Sequence, residues 1–329
     1  MMNIIKKIFL ILLVLVIVLW VLSYRPDPGD IEYGASFNTG YARELGLDWK
    51  EVYLAILDDL EVKRLRLAAH WDLVEPEEDE FNFRELDFQL AEAEKRDLEV
   101  IFAVGRRLPR WPECHIPDWQ EGASQEKEQE EILEYLRATV NRYKDNEAIK
   151  YWQVENEPFL EVFAFEHCGE LDVEFLEREI ELVKELDPTR PILVTDSGNL
   201  GLWWPAYKRG DAFGTSAYLY FWNPDVGQFK SILPPAWYRF KFNVLQLLLG
   251  KKEGFLIELS LEPWLIEPVI ETPIDTQFER MDIEKVNEII EFAKDTRFKK
   301  QYLWGAEWWY WMKQNGHPEF WEKAKEIYN

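Results

Sequence analysis

From residue 31 onward the chain alternates short, apolar, β-prone runs with longer amphipathic stretches, and it does so eight times. Strands are expected at residues 31–37, 62–69, 98–104, 149–154, 191–195, 212–218, 254–259 and 301–306. Each is followed by a segment whose apolar residues recur at helical spacing. Strands separated by helices pair in parallel, and eight such units close into a barrel. The pattern therefore predicts a single α/β domain, a (β/α)8 TIM barrel over residues 31–329. An open, doubly wound sheet would carry a glycine-rich phosphate turn after its first strand. Here that turn reads Ser36-Phe37-Asn38-Thr39-Gly40, which lacks the pattern.

In such a barrel, reactive side chains gather at the C-terminal ends of several strands. The second run ends in Arg66 and continues to His70, Trp71 and Asp72; the third leads through Arg106 and Arg107 to Trp111. The fourth ends in Asn156-Glu157, the fifth in Asp196, and the sixth carries Tyr218 and Tyr220. The seventh holds Glu258, with Glu262 four residues later, and the eighth Trp304, Glu307 and Trp308. Carboxylates, aromatic rings and an arginine are thus directed to one mouth.

Several chemistries are excluded. There is no Walker loop, no zinc-ligand spacing and no Gly-x-Ser-x-Gly elbow, and His70, His115, His167 and His317 are scattered. No cofactor and no metal are expected. A formal net charge of −24 argues against nucleic acid as a partner, because that requires a basic footprint. The 16 Trp, 14 Tyr and 20 Phe supply flat apolar faces suited to sugar rings, although most must be core.

Glu157 closes the stretch Tyr151-Trp152-Gln153-Val154-Glu155-Asn156-Glu157-Pro158, where a β-prone lead-in stops at a proline that cannot donate to a ladder. Glu258 lies in the apolar run Gly254-Phe255-Leu256-Ile257-Glu258-Leu259-Ser260, where a lone carboxylate is unfavourable without a partner or a task. Two carboxyls on opposite faces of one bond, one protonated and one ionised, are what glycoside hydrolysis requires. The bland alternatives are a solvated loop acid at Glu157 and a buried ion pair of Glu258 with Arg66. Glu262 is the alternative second carboxylate.

At these residues the sequence resembles the retaining (β/α)8 enzymes of glycoside hydrolase clan A. The resemblance rests on Trp152-Gln153-Val154-Glu155-Asn156-Glu157 and on His70-Trp71-Asp72-Leu73-Val74-Glu75-Pro76-Glu77-Glu78, followed by Phe81-Asn82-Phe83 and Leu86-Asp87. The second passage is similar to that of family 42 β-galactosidases, while Arg66 and Tyr218 match positions shared by family 5-like enzymes. The resemblance implies Glu157 as acid/base and Glu258 as nucleophile, acting on β-glycosidic bonds of a carbohydrate. Asn156, Arg66, His70, Trp71, Tyr218, Trp304, Glu307 and Trp308 are the expected substrate-binding residues, with Asn156 on the 2-hydroxyl and Trp304 under the reacting sugar. A transglycosylase with the same pair, and a non-catalytic carbohydrate-binding barrel, are the alternatives.

Ahead of the barrel, Lys6 and Lys7 precede an uninterrupted apolar run, residues 8–22, and a Pro/Gly/Asp linker at residues 25–30. Residues 1–24 are read as an N-terminal hydrophobic helix anchoring the protein in a membrane, or else as a signal peptide removed after export. Either reading leaves the barrel outside the cytoplasm, since the lysines stay inside. Cys114 and Cys168 are either separate buried thiols or one disulfide between loops that the barrel brings side by side.

Overall fold

The computed structural model describes residues 2–160, 162 and 165–329, with the side chains of 2–5, 10–16 and 165–166 outside the described set. The strands are β1 (Glu32–Ser36), β2 (Arg64–Ala68), β3 (Glu99–Val104), β4 (Ile149–Val154) and β5 (Ile192–Asp196). They continue as β6 (Ala212–Ala217), β7 (Tyr220–Asn223), β8 (Gly227–Lys230), β9 (Gly254–Ser260) and β10 (Lys300–Trp304). Eight of them close a barrel in the order β1-β10-β9-β6-β5-β4-β3-β2, every pair parallel. The eightfold alternation is therefore realised, with strand ends within a few residues of expectation. The hairpin β7–β8, inserted after the sixth barrel strand, is an addition that the sequence pattern does not signal.

Helices form where the apolar spacing calls for them, and several start at side-chain caps. Ser124 accepts from the N–H of Lys127 before Gln125–Tyr143, Asp172 from that of Phe175 before Val173–Leu186, and Asp282 from that of Lys285 before Ile283–Asp295. Residues pointing out of the sheet, such as Leu65, Leu67, Trp152, Val154, Leu256 and Leu259, join the helices in the main core. Inside the barrel a second layer is built from Ile101, Leu193, Ala212, Phe255, Ile257 and Tyr302, with Tyr151 against it.

One irregularity matters for the site. Thr215 of β6 pairs with Leu256, but the next residue, Ser216, pairs with Glu258, so β9 carries one extra residue at Ile257. A bulge of this kind breaks the in–out alternation and re-aims the side chain that follows. Phe255 and Ile257 face the barrel interior, and Glu258, which strict alternation would turn toward the helices beside Leu256, faces inward too.

The N-terminal segment is helical over Met2–Ser23. Among the described residues no helix is long and apolar enough to cross a membrane. The apolar run at 8–22 on which an anchor was expected includes side chains 10–16, which lie outside the described residues. The C-terminal end of this helix docks on the helix Pro235–Leu249. Asn243 donates to the carbonyls of Leu22 and Tyr24, Arg239 donates to that of Ser23, and the Arg25 guanidinium lies 4.6 Å from the centroid of the Phe242 ring.

Ile257 is fully buried in the inner layer. Ile257→Ala is expected to lower stability by about 2–5 kcal/mol, the range for truncating a buried isoleucine, read as a lower midpoint in urea unfolding.

Candidate active site

At the C-terminal ends of the strands, Arg66 forms the centre of a buried polar network. Strand alternation sends Leu65 and Leu67 to the outer core, so Arg66 points inward, 2% exposed. Its Nη1 donates to Glu258 Oε1 at 2.5 Å, its Nε to Gln153 Oε1 at 2.9 Å and its Nη2 to Asn156 Oδ1 at 2.7 Å. One guanidinium thus ties β2 to β9 and to both sides of the β4 terminus. The other oxygen of Glu258 accepts from the Tyr218 hydroxyl at 3.1 Å. Burial, and then the charge of Glu258, push the Tyr218 phenol well above its ordinary range, so the hydroxyl keeps the proton it donates.

Glu157 stands in a different environment. It is 6% exposed, its Oε1 has no hydrogen-bond partner, and its N–H donates to Thr195 Oγ1 at 2.8 Å. Burial raises its pKa well above the usual carboxyl value; the charge of Glu258 adds to this, while Ser216 opposes it. The backbone turns sharply here: Glu155 and Glu157 have φ of 58° and 45°, in the left-handed region that non-glycine residues seldom adopt. The conformation is held from both sides, by Thr195 at Glu157 and by the bonds that Glu155 makes. The Glu155 carboxyl accepts from the N–H groups of Arg106 and Arg107, each at 2.7 Å. At Gly105, with φ of 127°, an added Cβ would fall 2.3 Å from Glu155 Oε1, so only glycine fits between that carboxyl and β3.

Asn156 Oδ1 accepts from Arg66, from Gln153 Nε2 at 3.3 Å and from Thr195 Oγ1 at 3.3 Å. With its oxygen committed to three donors, Asn156 presents its amide nitrogen to anything bound in the mouth. Trp304, at the end of β10, donates its indole N–H to Glu262 Oε1 at 2.8 Å. Glu262 also receives Arg110 Nη1 at 2.5 Å. Glu262 is engaged by a cation and an indole in the loop beyond β9, whereas Glu258 is the carboxylate whose charge acts most strongly on Glu157.

Four expected contacts are placed differently. Trp71 has no exposed surface; its indole donates to Glu75 Oε2 and packs edge-on against Trp119. Trp308 is likewise fully buried, donating to Gln277 Oε1 and packing on Phe320. Both lie just past a strand end, where the first turn of a helix carries the indole back into the core, so neither lines the mouth. His70 is buried against His115, with Nε2 3.1 Å from the Pro109 carbonyl, and burial holds its pKa well below the usual imidazole value. Glu307 accepts from the Asn38 N–H at 2.5 Å, and burial pushes its pKa up to about 7. His70 and Glu307 thus brace the loops around the mouth.

The loop after β3, residues 105–115, contributes groups that sequence reasoning did not single out. Glu113 pairs with Arg107 Nε at 3.3 Å, and its carboxyl is pushed up to about 7 by burial, with the charge of Glu258 adding to the rise. Arg110 crosses the mouth to Tyr41 and Trp304. The loop is tied down by the disulfide Cys114–Cys168, with Cα atoms 5.4 Å apart. The sequence pattern brings Arg106, Arg107 and Trp111 to the end of the third strand and offers the disulfide, but it gives Arg110 and Glu113 no partners.

Fold and site together define a (β/α)8 barrel whose mouth holds two buried carboxyls in contrasting environments. No protein-family model and no curated protein matches the sequence. Solved structures do. A GH5_18 variant from Bifidobacterium longum subsp. longum in complex with Manb1-4GlcNAc superposes with a TM-score of 0.56 at 11% identity, covering 83% of this chain and 68% of that one. Xylanase 10B from Thermotoga petrophila in complex with xylobiose gives 0.52 at 17% identity, covering 84% and 82%. A β-glucosidase from Exiguobacterium marinum gives 0.54 at 13%, covering 85% and 89%. At these identities the likeness establishes the shared barrel.

Removing Arg66 would leave Glu258 as an uncompensated buried charge. Arg66→Met is expected to destabilise the protein by about 3–5 kcal/mol in urea unfolding, and adding Glu258→Gln to recover part of that loss.

Proposed function

We propose that the protein is a retaining glycoside hydrolase that cleaves β-glycosidic bonds of an oligo- or polysaccharide, with Glu157 as acid/base and Glu258 as nucleophile. The observation that carries this reading is the contrast between the two carboxyls. Glu157 has an unpartnered oxygen and a raised pKa, as a proton donor needs, while Glu258 is held by a guanidinium and a phenol, as an anion needs. The barrel likeness to structures carrying Manb1-4GlcNAc and xylobiose supports the same substrate class.

In the first step Glu258 attacks the anomeric carbon while Glu157 gives its proton to the departing oxygen, leaving a glycosyl-enzyme. In the second, Glu157, now ionised, takes a proton from water, which displaces Glu258 and releases the sugar with its starting anomeric configuration. Arg66 and Tyr218 hold Glu258 on one rotamer and spread its charge. Asn156 offers its amide nitrogen to the 2-hydroxyl, a contact that strengthens as the anomeric centre becomes positive. Trp304 supplies an apolar face for the ring. The barrel is assigned outside the cytoplasm, held by its N-terminal segment or released after cleavage; Lys6 and Lys7 ahead of the apolar run, and the disulfide Cys114–Cys168, support that location.

Glu157→Gln is expected to lower kcat on unactivated glycosides by about 10²–10⁴-fold, the usual contribution of a general acid, and to lose much less on a nitrophenyl glycoside whose leaving group needs no proton. An unchanged rate on unactivated substrates would refute the assignment. Proton NMR of the first-formed product should show the β anomer, whereas an α anomer would mean inversion. Activity of the wild type should fall as pH rises through the elevated pKa of Glu157, because the acid is then lost. That alkaline limb should be missing from kcat/KM in Glu157→Gln.

A further inference from the structure

We propose that this mouth takes a single sugar on the glycone side, so that the enzyme removes residues one at a time from a non-reducing chain end, and that Arg110 with Glu262 forms the wall which enforces it. The proposal rests on the glycosidase reading and adds to it the class of bond that is cut.

Direction comes first. The acid must stand beside the departing oxygen, so the leaving chain exits on the side of β4, which ends at Glu157. The ring being transferred lies over Glu258, toward β9 and β10. In the closed order of strands, β10 is four steps from β4 whichever way the barrel is followed, so it lies diametrically opposite. A longer donor chain would have to continue across β10 and β1, since C4 of a pyranose points away from C1.

That path is filled. Arg110 reaches across from the loop after β3 and meets side chains carried by three other elements. Its guanidinium carbon lies 3.1 Å from the centroid of the Tyr41 ring, which follows β1, and 4.9 Å from that of Trp304 on β10. Its Nη1 donates at 2.5 Å to Glu262 beyond β9, whose same oxygen accepts the Trp304 indole N–H at 2.8 Å. The side chains of Arg110 and Glu262 are 12% and 11% exposed, enough to touch a ligand and too little to be loose. The backbone of Arg110 is itself committed: φ is 103°, outside the ordinary range for a residue with a Cβ, and its carbonyl lies 3.1 Å from His115 Nε2. Facing the far edge of the reacting sugar, the pair offers guanidinium donors and carboxylate acceptors to the hydroxyls at C3 and C4, groups that are free only on a terminal residue.

The test uses the full-length protein and pentasaccharides of β-1,4-linked glucose, mannose, xylose and galactose, each with a fluorophore at its reducing end. The expected first products are a free monosaccharide and the labelled tetrasaccharide. Labelled di- or trisaccharides among the first products of the wild type would overturn the wall while leaving the hydrolase reading intact. Failure to cleave any oligosaccharide or any nitrophenyl β-glycoside would instead overturn the hydrolase reading itself. Arg110→Ala combined with Glu262→Gln, which removes the wall without stranding a charge, should raise the share of internal cuts at least tenfold and raise KM for a nitrophenyl monoside more than it lowers kcat. A cleavage pattern unchanged in this variant would also overturn the proposal.

Discussion

A single buried guanidinium organises the mouth of this barrel. Arg66 has given up nearly all contact with water, a change that is strongly unfavourable for an ion unless its donors are met. They are met by Glu258, Gln153 and Asn156, on strands that are not adjacent to its own in two of the three cases or that lie just beyond a strand end. The charge therefore braces the barrel from the inside. It also sets the difference between the carboxyls: the one within its reach is held by opposite charge, while the one outside it is buried beside like charges with its pKa raised. The ion pair of Arg66 with Glu258, weighed from sequence as the alternative to a catalytic role, is compatible with that role, since a nucleophile must be held ionised.

Around this centre further hydrogen bonds fix the β4 terminus. Glu155 binds two backbone N–H groups of the loop after β3, and Thr195 of β5 takes the N–H of Glu157. Three consecutive residues, Glu155, Asn156 and Glu157, thus work in three directions: one holds a loop, one joins the network and presents an amide, and one keeps a carboxyl oxygen without a partner. The left-handed backbone on either side of Asn156 is what lets neighbouring side chains point so differently.

Much of this was legible beforehand because it depends on local pattern. Eight strands separated by amphipathic segments leave few architectures, and strand ends in such a barrel are where polar residues collect. Glu157, Glu258, Arg66, Asn156, Tyr218 and Trp304 could be nominated on that basis. What failed were judgements that depend on side-chain direction. Trp71 and Trp308 stand at strand ends in sequence, yet each opens a helical turn that returns its indole to the core. The loop at residues 105–115 was opaque for another reason: its contacts with Tyr41 and Glu262 span the whole mouth, and no periodicity records partners so far apart in sequence.

The extra residue in β9 has a consequence for how this protein tolerates change. Ile257 packs in the inner layer, and it is also the residue that the bulge takes up. Deleting it would let β9 pair without a bulge and leave the glutamate opposite Ser216, still facing inward, with one inner-layer side chain lost; straightening the strand at its present length would instead turn Glu258 toward the helices. The bulge thus lets two successive side chains, one that packs and one that is charged, face the same interior.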